Sequence, residues 1–222
     1  MSLLGLNTPI IDVSGGRATP LTDTGGAFVA TNPTPGTGLT TAVAVTLAAA
    51  ATAPTMVVVN QNALNSNINV YPLYLKLTEL TVSTGGTAPN MQFHLDTVNR
   101  YTSGGTILAA QNTSSGSNIG SKALVAFGAI VAPAAQADVF VSGNLRARIG
   151  LIDVAGDIVH FTWGTPTLSL SIPFTTTATI GNFQFGLQSV GIQPGHSMVM
   201  TLWKAAITVG IIYEVEFGYL EK

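Results

Sequence analysis

The chain has 222 residues, enough for one large domain and short for two. Only 8 Lys+Arg and 10 Asp+Glu are present, 8% charged where soluble globular chains run at roughly 25%. A net charge of -2 leaves no basic stripe to neutralise phosphates, so no nucleic-acid partner is expected, and Cys 0 removes disulfides, thiolate zinc sites and cysteine nucleophiles.

From Met1 to about Thr40 the sequence is rich in Thr, Gly and Pro, with SGGR, TDTGG and NPTPGTG as turn-type clusters. We read residues 1–40 as an extended arm and 41–222 as a single domain. MSLLGLNTPIIDV lacks the basic n-region and long apolar h-region of a signal peptide. Two apolar hooks sit in it, Leu3, Leu4 and Leu6, then Ile10 and Ile11. They either grip a neighbouring subunit or lie on their own domain.

Residues 42–59 form the most apolar run, but Thr46, Thr52, Thr55 and Pro54 interrupt it and much of it is alanine, so no membrane span is expected. Thr40 to Ala53 is also the one helix candidate, since alanine favours helix. Its first half, TTAVAVTL, alternates Val43, Val45 and Leu47 with small residues and reads better as a strand.

Beyond Pro54 the period is two. Strands are expected at Met56 to Asn60, Tyr71 to Val82, Leu124 to Val131, Val139 to Val141, Asp157 to Trp163 and Ser197 to Val209. Met91, Phe93 and Leu95 alternate with Gln92, His94 and Asp96, and Leu145, Ala147, Ile149 and Leu151 with Asn144, Arg146, Arg148 and Gly150. Leu168, Leu170 and Ile172 alternate with serines, and Phe183, Phe185 and Leu187 with Gln184, Gly186 and Gln188. Most clearly, Tyr213, Val215, Phe217 and Tyr219 share one face and Glu214, Glu216 and Gly218 the other. About ten short strands punctuated by Gly, Pro, Asn and Ser predict an all-β, antiparallel β-sandwich of jelly-roll type.

Chemistry is sparse. The acids fall beside expected turns or on strand faces expected to be wet; Asp153 and Asp157 flank Gly156 in what reads as a hairpin turn. His94, His160 and His196 are widely separated and make no HxH or HExxH spacing, so no metal site is expected. GxSxG, GxGxxG and the P-loop are missing, and the pairs Gly15-Gly16, Gly25-Gly26, Gly85-Gly86 and Gly104-Gly105 read as turns. The sequon Asn112-Thr113-Ser114 matters only in a secretory pathway. Trp163, Trp203, Phe183, Phe185, Phe217 and Tyr219 are expected in the core. Arg146 and Arg148, two of eight cations on one strand face, either bridge to a neighbouring subunit or line a solvated face. No catalytic residue and no cofactor is expected. A surface so poor in charge is prone to self-association unless partners cover it.

The run Asn99-Arg100-Tyr101-Thr102-Ser103-Gly104-Gly105-Thr106, with Tyr74-Leu75-Lys76-Leu77 before it, resembles bacteriophage virion structural proteins of the head-decoration or auxiliary capsid type. The likeness is best from Pro54 to Gly143. It implies a jelly-roll subunit, trimeric, on the capsid surface and in contact with the major capsid protein and copies of itself. A receptor- or glycan-binding head of a viral fibre is the alternative.

Overall fold

The computed structural model describes residues 26–41, 52–81, 90–114, 117–134, 155–164, 181–203 and 210–222. The strands are β1 (Ala27–Thr31), β2 (Leu39–Thr40), β3 (Met56–Asn60), β4 (Val70–Thr81), β5 (Asn90–Asp96) and β6 (Ser103–Ile107). They continue as β7 (Ala109–Asn112), β8 (Ala123–Val131), β9 (Ile158–Trp163), β10 (Asn182–Leu187), β11 (Ser197–Trp203) and β12 (Ile212–Glu221). No helix occurs among the described residues. The helix candidate lies largely outside them, as do the hooks Leu3, Leu4, Leu6, Ile10 and Ile11, Arg146 and Arg148, and the expected strands at 139–141, 145–151 and 168–172.

Two sheets pack face to face. One runs β10-β9-β4-β12-β1-β7 with β2 also on β12, and the other runs β5-β11-β3-β8-β6. All pairings are antiparallel except β9 with β10, which run parallel, Phe161 beside Phe185. The period-two face of β12 lies inward as expected: Tyr213, Val215, Phe217 and Tyr219 are buried. They meet Leu75 and Leu77 of β4, Met56 and Val58 of β3, and Phe93 of β5 in one core. Aromatic rings run through it. Phe93 meets Phe161 and Trp163 edge-on at 5.0 and 5.3 Å, and Phe217 stacks on Tyr219, which stacks on Phe28. Such pairs add about 0.5–1.5 kcal/mol each beyond area burial.

The centre of the five-stranded sheet is buried on both faces, while its edge strand β6 is exposed. β3 is buried at every position, and β11 at all but its last. Its outer face carries a second apolar layer, Val57, Val59, Ala126, Ile130 and Val199, with Tyr101 and Leu124 packed against it. The residues expected to be wet on β5 are therefore inside: His94 is 1% and Asp96 2% exposed. Period two identifies two faces, but it says nothing about whether another segment lies over the polar one.

That segment is residues 97–102. β5 and β6 are the opposite edges of this sheet, four inter-strand spacings apart. At about 4.8 Å per spacing the width is roughly 19 Å, close to the roughly 23 Å that seven extended steps can reach. The connection therefore has to run almost straight across the outer face. Ser197 Oγ donates to Val98 O at 2.6 Å, and Thr102 N donates to Val131 O at 3.0 Å, tying both ends of this strap to the sheet.

Gly104 and Gly105 are not a turn between strands, as expected, but sit within β6, with φ of 77° and 64° and a register shift against β8. A Cβ on Gly105 would stand 2.7 Å from Ile130 Cγ1 and 2.9 Å from Phe127 O, so the bulge needs glycine there for both backbone and space. β6 then passes through buried Leu108 into β7, which belongs to the other sheet.

An all-β chain predicts a far-ultraviolet circular dichroism spectrum with helix below about a tenth of residues. A helix-dominated spectrum would overturn the fold.

Candidate functional site

Three places concentrate polar chemistry. The first lies under the strap. Arg100 Nη1 donates to Asp96 Oδ2 at 2.9 Å, and both side chains are fully buried. Asp96 Oδ1 also accepts from Val98 N at 3.3 Å. His94 lies in the same layer opposite Val199, and neither ring nitrogen has a hydrogen-bond partner among the described residues. Burial, and then the Arg100 charge, push the imidazole down to about 4, with Asp96 opposing. An ionised pair in the interior is costly unless each partner is satisfied, and this one joins Arg100 of the strap to the end of β5.

The second lies on the outer face of the seven-stranded sheet. Period two carries Lys76 and Thr78 of β4, Glu214 and Glu216 of β12, and His160 of β9 to that face, with Lys76 opposite both His160 and Glu216. Tyr74 Oη donates to Glu216 Oε1 at 2.6 Å, and Lys76 Nζ stands 4.0 Å from Glu216 Oε2. The Tyr74 ring lies over Gly218, where any side chain would collide with it, and meets the His160 ring edge-on at 5.8 Å. Burial and the hydrogen bond to Glu216 raise the Tyr74 phenol, while burial and then Lys76 lower His160. Glu214 Oε1 accepts from Gly36 N at 2.8 Å. A shallow depression of about 290 Å3 opens between Thr31, Pro35, Lys76, Glu214 and Glu216.

The third is one end of the sandwich, where residues 61–69, 113–114, 117–122 and 188–196 meet the end of β12. The Asn60 amide donates to Ile68 O and Ile192 O, both at 2.8 Å, and its Oδ1 accepts from Asn62 N at 3.0 Å. Glu221 Oε1 accepts from Ser121 Oγ at 2.5 Å and from Lys122 N and Ala123 N at 3.0 and 3.1 Å. Ser121 also meets the Tyr219 hydroxyl at 2.6 Å. Burial raises the Tyr219 phenol, an effect the bond to Ser121 opposes and Glu221 reinforces. On this bonded base stand Leu64, 81% exposed, Ile119, 54%, and Ile68, 36%. Loop residues held on a rigid scaffold are a common place for binding.

Several expectations about single residues change. Asp157 reaches beyond its turn: its Oδ1 accepts from Gly181 N at 2.7 Å, which ties β9 to the start of β10. Asp153 lies outside the described residues. Glu79, expected on a wet face, is 2% exposed, because alternation along β4 carries it to the inner face with Leu75 and Leu77, opposite Tyr213. His196 belongs to the loop end, where its N donates to Gln193 O. The three histidines stand on different elements. Among the described residues, no group of three or more His, Asp or Glu could hold a metal ion.

The sequon residue Asn112 points its amide at Ser117 Oγ and Ile119 O. Trp163, Phe185, Phe217 and Tyr219 are core, as expected. The strap pair was missed in the sequence: Asp96 and Arg100 four residues apart, around a β-strand end, look like any solvated pair. Compared with protein-family models, with curated proteins and with solved structures, the chain matches none.

Proposed function

We propose that this protein is a non-enzymatic structural protein of a phage-type virion, a jelly-roll-like subunit that decorates or reinforces the capsid as an oligomer. The observation that carries the proposal is the loop end of the sandwich, where Leu64, Ile68 and Ile119 are held out to solvent on a hydrogen-bonded base. Apolar side chains gathered at one end of a soluble protein mark an interaction surface when they form a contiguous patch, and this end supplies three of them. The low charge of the chain favours the same use, since charged residues are depleted at interface cores. The virion assignment itself rests on the resemblance of the Asn99–Thr106 run, which forms the second half of the strap and the glycine bulge of β6.

In this reading the partners are the major capsid protein and further copies of the chain, most simply as a homotrimer. The isolated protein is expected to sediment as a closed oligomer at micromolar concentration. Clean monomer in analytical ultracentrifugation counts against the oligomer. Cryo-electron microscopy of particles with and without the protein tests the location, and particles that never carry it refute the virion assignment.

A fibre-head module that binds a receptor or glycan is the second reading. The depression beside Lys76, Glu214 and Glu216 favours it, because it gathers polar groups able to bond sugar hydroxyls. Glycan binding lost in Lys76→Ala and Glu214→Gln, with sedimentation unchanged, would shift the balance to this reading.

A further inference from the structure

The described chain starts at Gly26, whose carbonyl accepts from Glu221 N at 2.8 Å. β1 therefore enters its sheet at the same end that carries Leu64, Ile68 and Ile119. The 25 residues before Gly26 leave from that end, and the first eleven include five large aliphatic side chains and no charged one. Ile11 is fifteen residues from Gly26, a reach of roughly 50 Å when extended. A domain of this size is roughly 40 Å across, so a subunit packed alongside is within range.

The receiving end has matching chemistry. Leu64 leans on Gly195, where a Cβ would stand 2.7 Å from Leu64 Cδ2. Ile119 is fixed by Asn112 Nδ2 at its carbonyl, 3.1 Å, and by Ser117 Oγ at its amide, 3.2 Å. Side chains this exposed, on backbone this constrained, are already in place to receive an apolar segment, so little of the gain on docking is lost to ordering them.

We propose that Leu3, Leu4, Leu6, Ile10 and Ile11 of one copy dock on Leu64, Ile68 and Ile119 at the loop end of a second copy. The contact joins two different surfaces, arm and loop end, so where the rotation between copies closes a ring it makes a small oligomer in which each arm strengthens the hold of the others. The inference rests on the self-association proposed above and names the contact that makes it; it does not depend on where the oligomer resides.

The absence of cysteine makes the test direct. Full-length chains carrying Leu4→Cys and, with a size tag, Leu64→Cys are mixed, oxidised and run on a non-reducing gel. Ile119→Cys provides a second acceptor, and Thr81→Cys, exposed at the far end of β4, provides the control. The expected result is a disulfide between unlike chains at Leu64 and Ile119, at least fivefold above the Thr81 control. Cross-linking no stronger than at Thr81 overturns the proposal. So does a Leu4→Cys/Leu64→Cys double variant that closes within one chain and stays monomeric, which would place the arm on its own domain. Particle occupancy, measured separately, reports on the virion reading, so the two can fail independently.

Discussion

Arg100→Ala is expected to destabilise the protein by about 3–5 kcal/mol, because it leaves the Asp96 carboxylate buried beneath residues 97–102 without its cation. Asp96 keeps the amide of Val98 at 3.3 Å, which compensates only in part. The readout is the midpoint of urea unfolding at neutral pH. Asp96→Asn combined with Arg100→Met should recover much of the loss, since replacing a buried pair by neutral groups of similar volume is often close to neutral. If Arg100→Ala costs under about 1 kcal/mol, the pair is not what positions the strap.

Lowering the pH should act on the same place. His94 sits at about 4 in the folded chain against about 6.5 unfolded. A lowered histidine value means that the unfolded chain binds the extra proton first. The stability is therefore fully present above about pH 6.5 and drains away as the pH falls towards 4. The full shift corresponds to about 3 kcal/mol, and residual solvent screening brings the expected loss to about 2 kcal/mol. His160 is lowered as well and adds a smaller slope of the same sign. Urea unfolding at a series of pH values, compared with His94→Gln, isolates the first contribution. Equal slopes in the two proteins would show that His94 is not desolvated in the native state.

Much of the sandwich was legible from alternation. β3 starts and stops where the apolar run does, and β4, β8 and the start of β11 fall within a residue of expectation. In β12, Tyr213 to Tyr219 alternate because one face meets the core and the other meets Lys76 and solvent. β1 was hidden because AFVAT is five residues long between two turn-rich stretches, and its burial comes from pairing with β12 and β7, far away in sequence. β6 was hidden by its glycines, which mark a bulge as readily as a turn. The polar clusters were harder. Lys76, Glu214 and Glu216 share a face only through the β4–β12 register, and Glu221 meets Ser121 only because β12 ends where β8 begins. Composition can show that a chain has few charges, but not that it gathers them.

β1 also determines how the protein bears load. It lies between β12 and β7, with five of its residues in register on one side and four on the other, both antiparallel. Tension applied to the chain before Gly26 pulls along the strand axis, parallel to its neighbours, so both ladders are strained at once instead of unzipping one bond at a time. A subunit tethered through that segment would hold against shear until most of those bonds fail together. The failure would be abrupt, and its rate would follow the unfolding barrier and not the equilibrium stability.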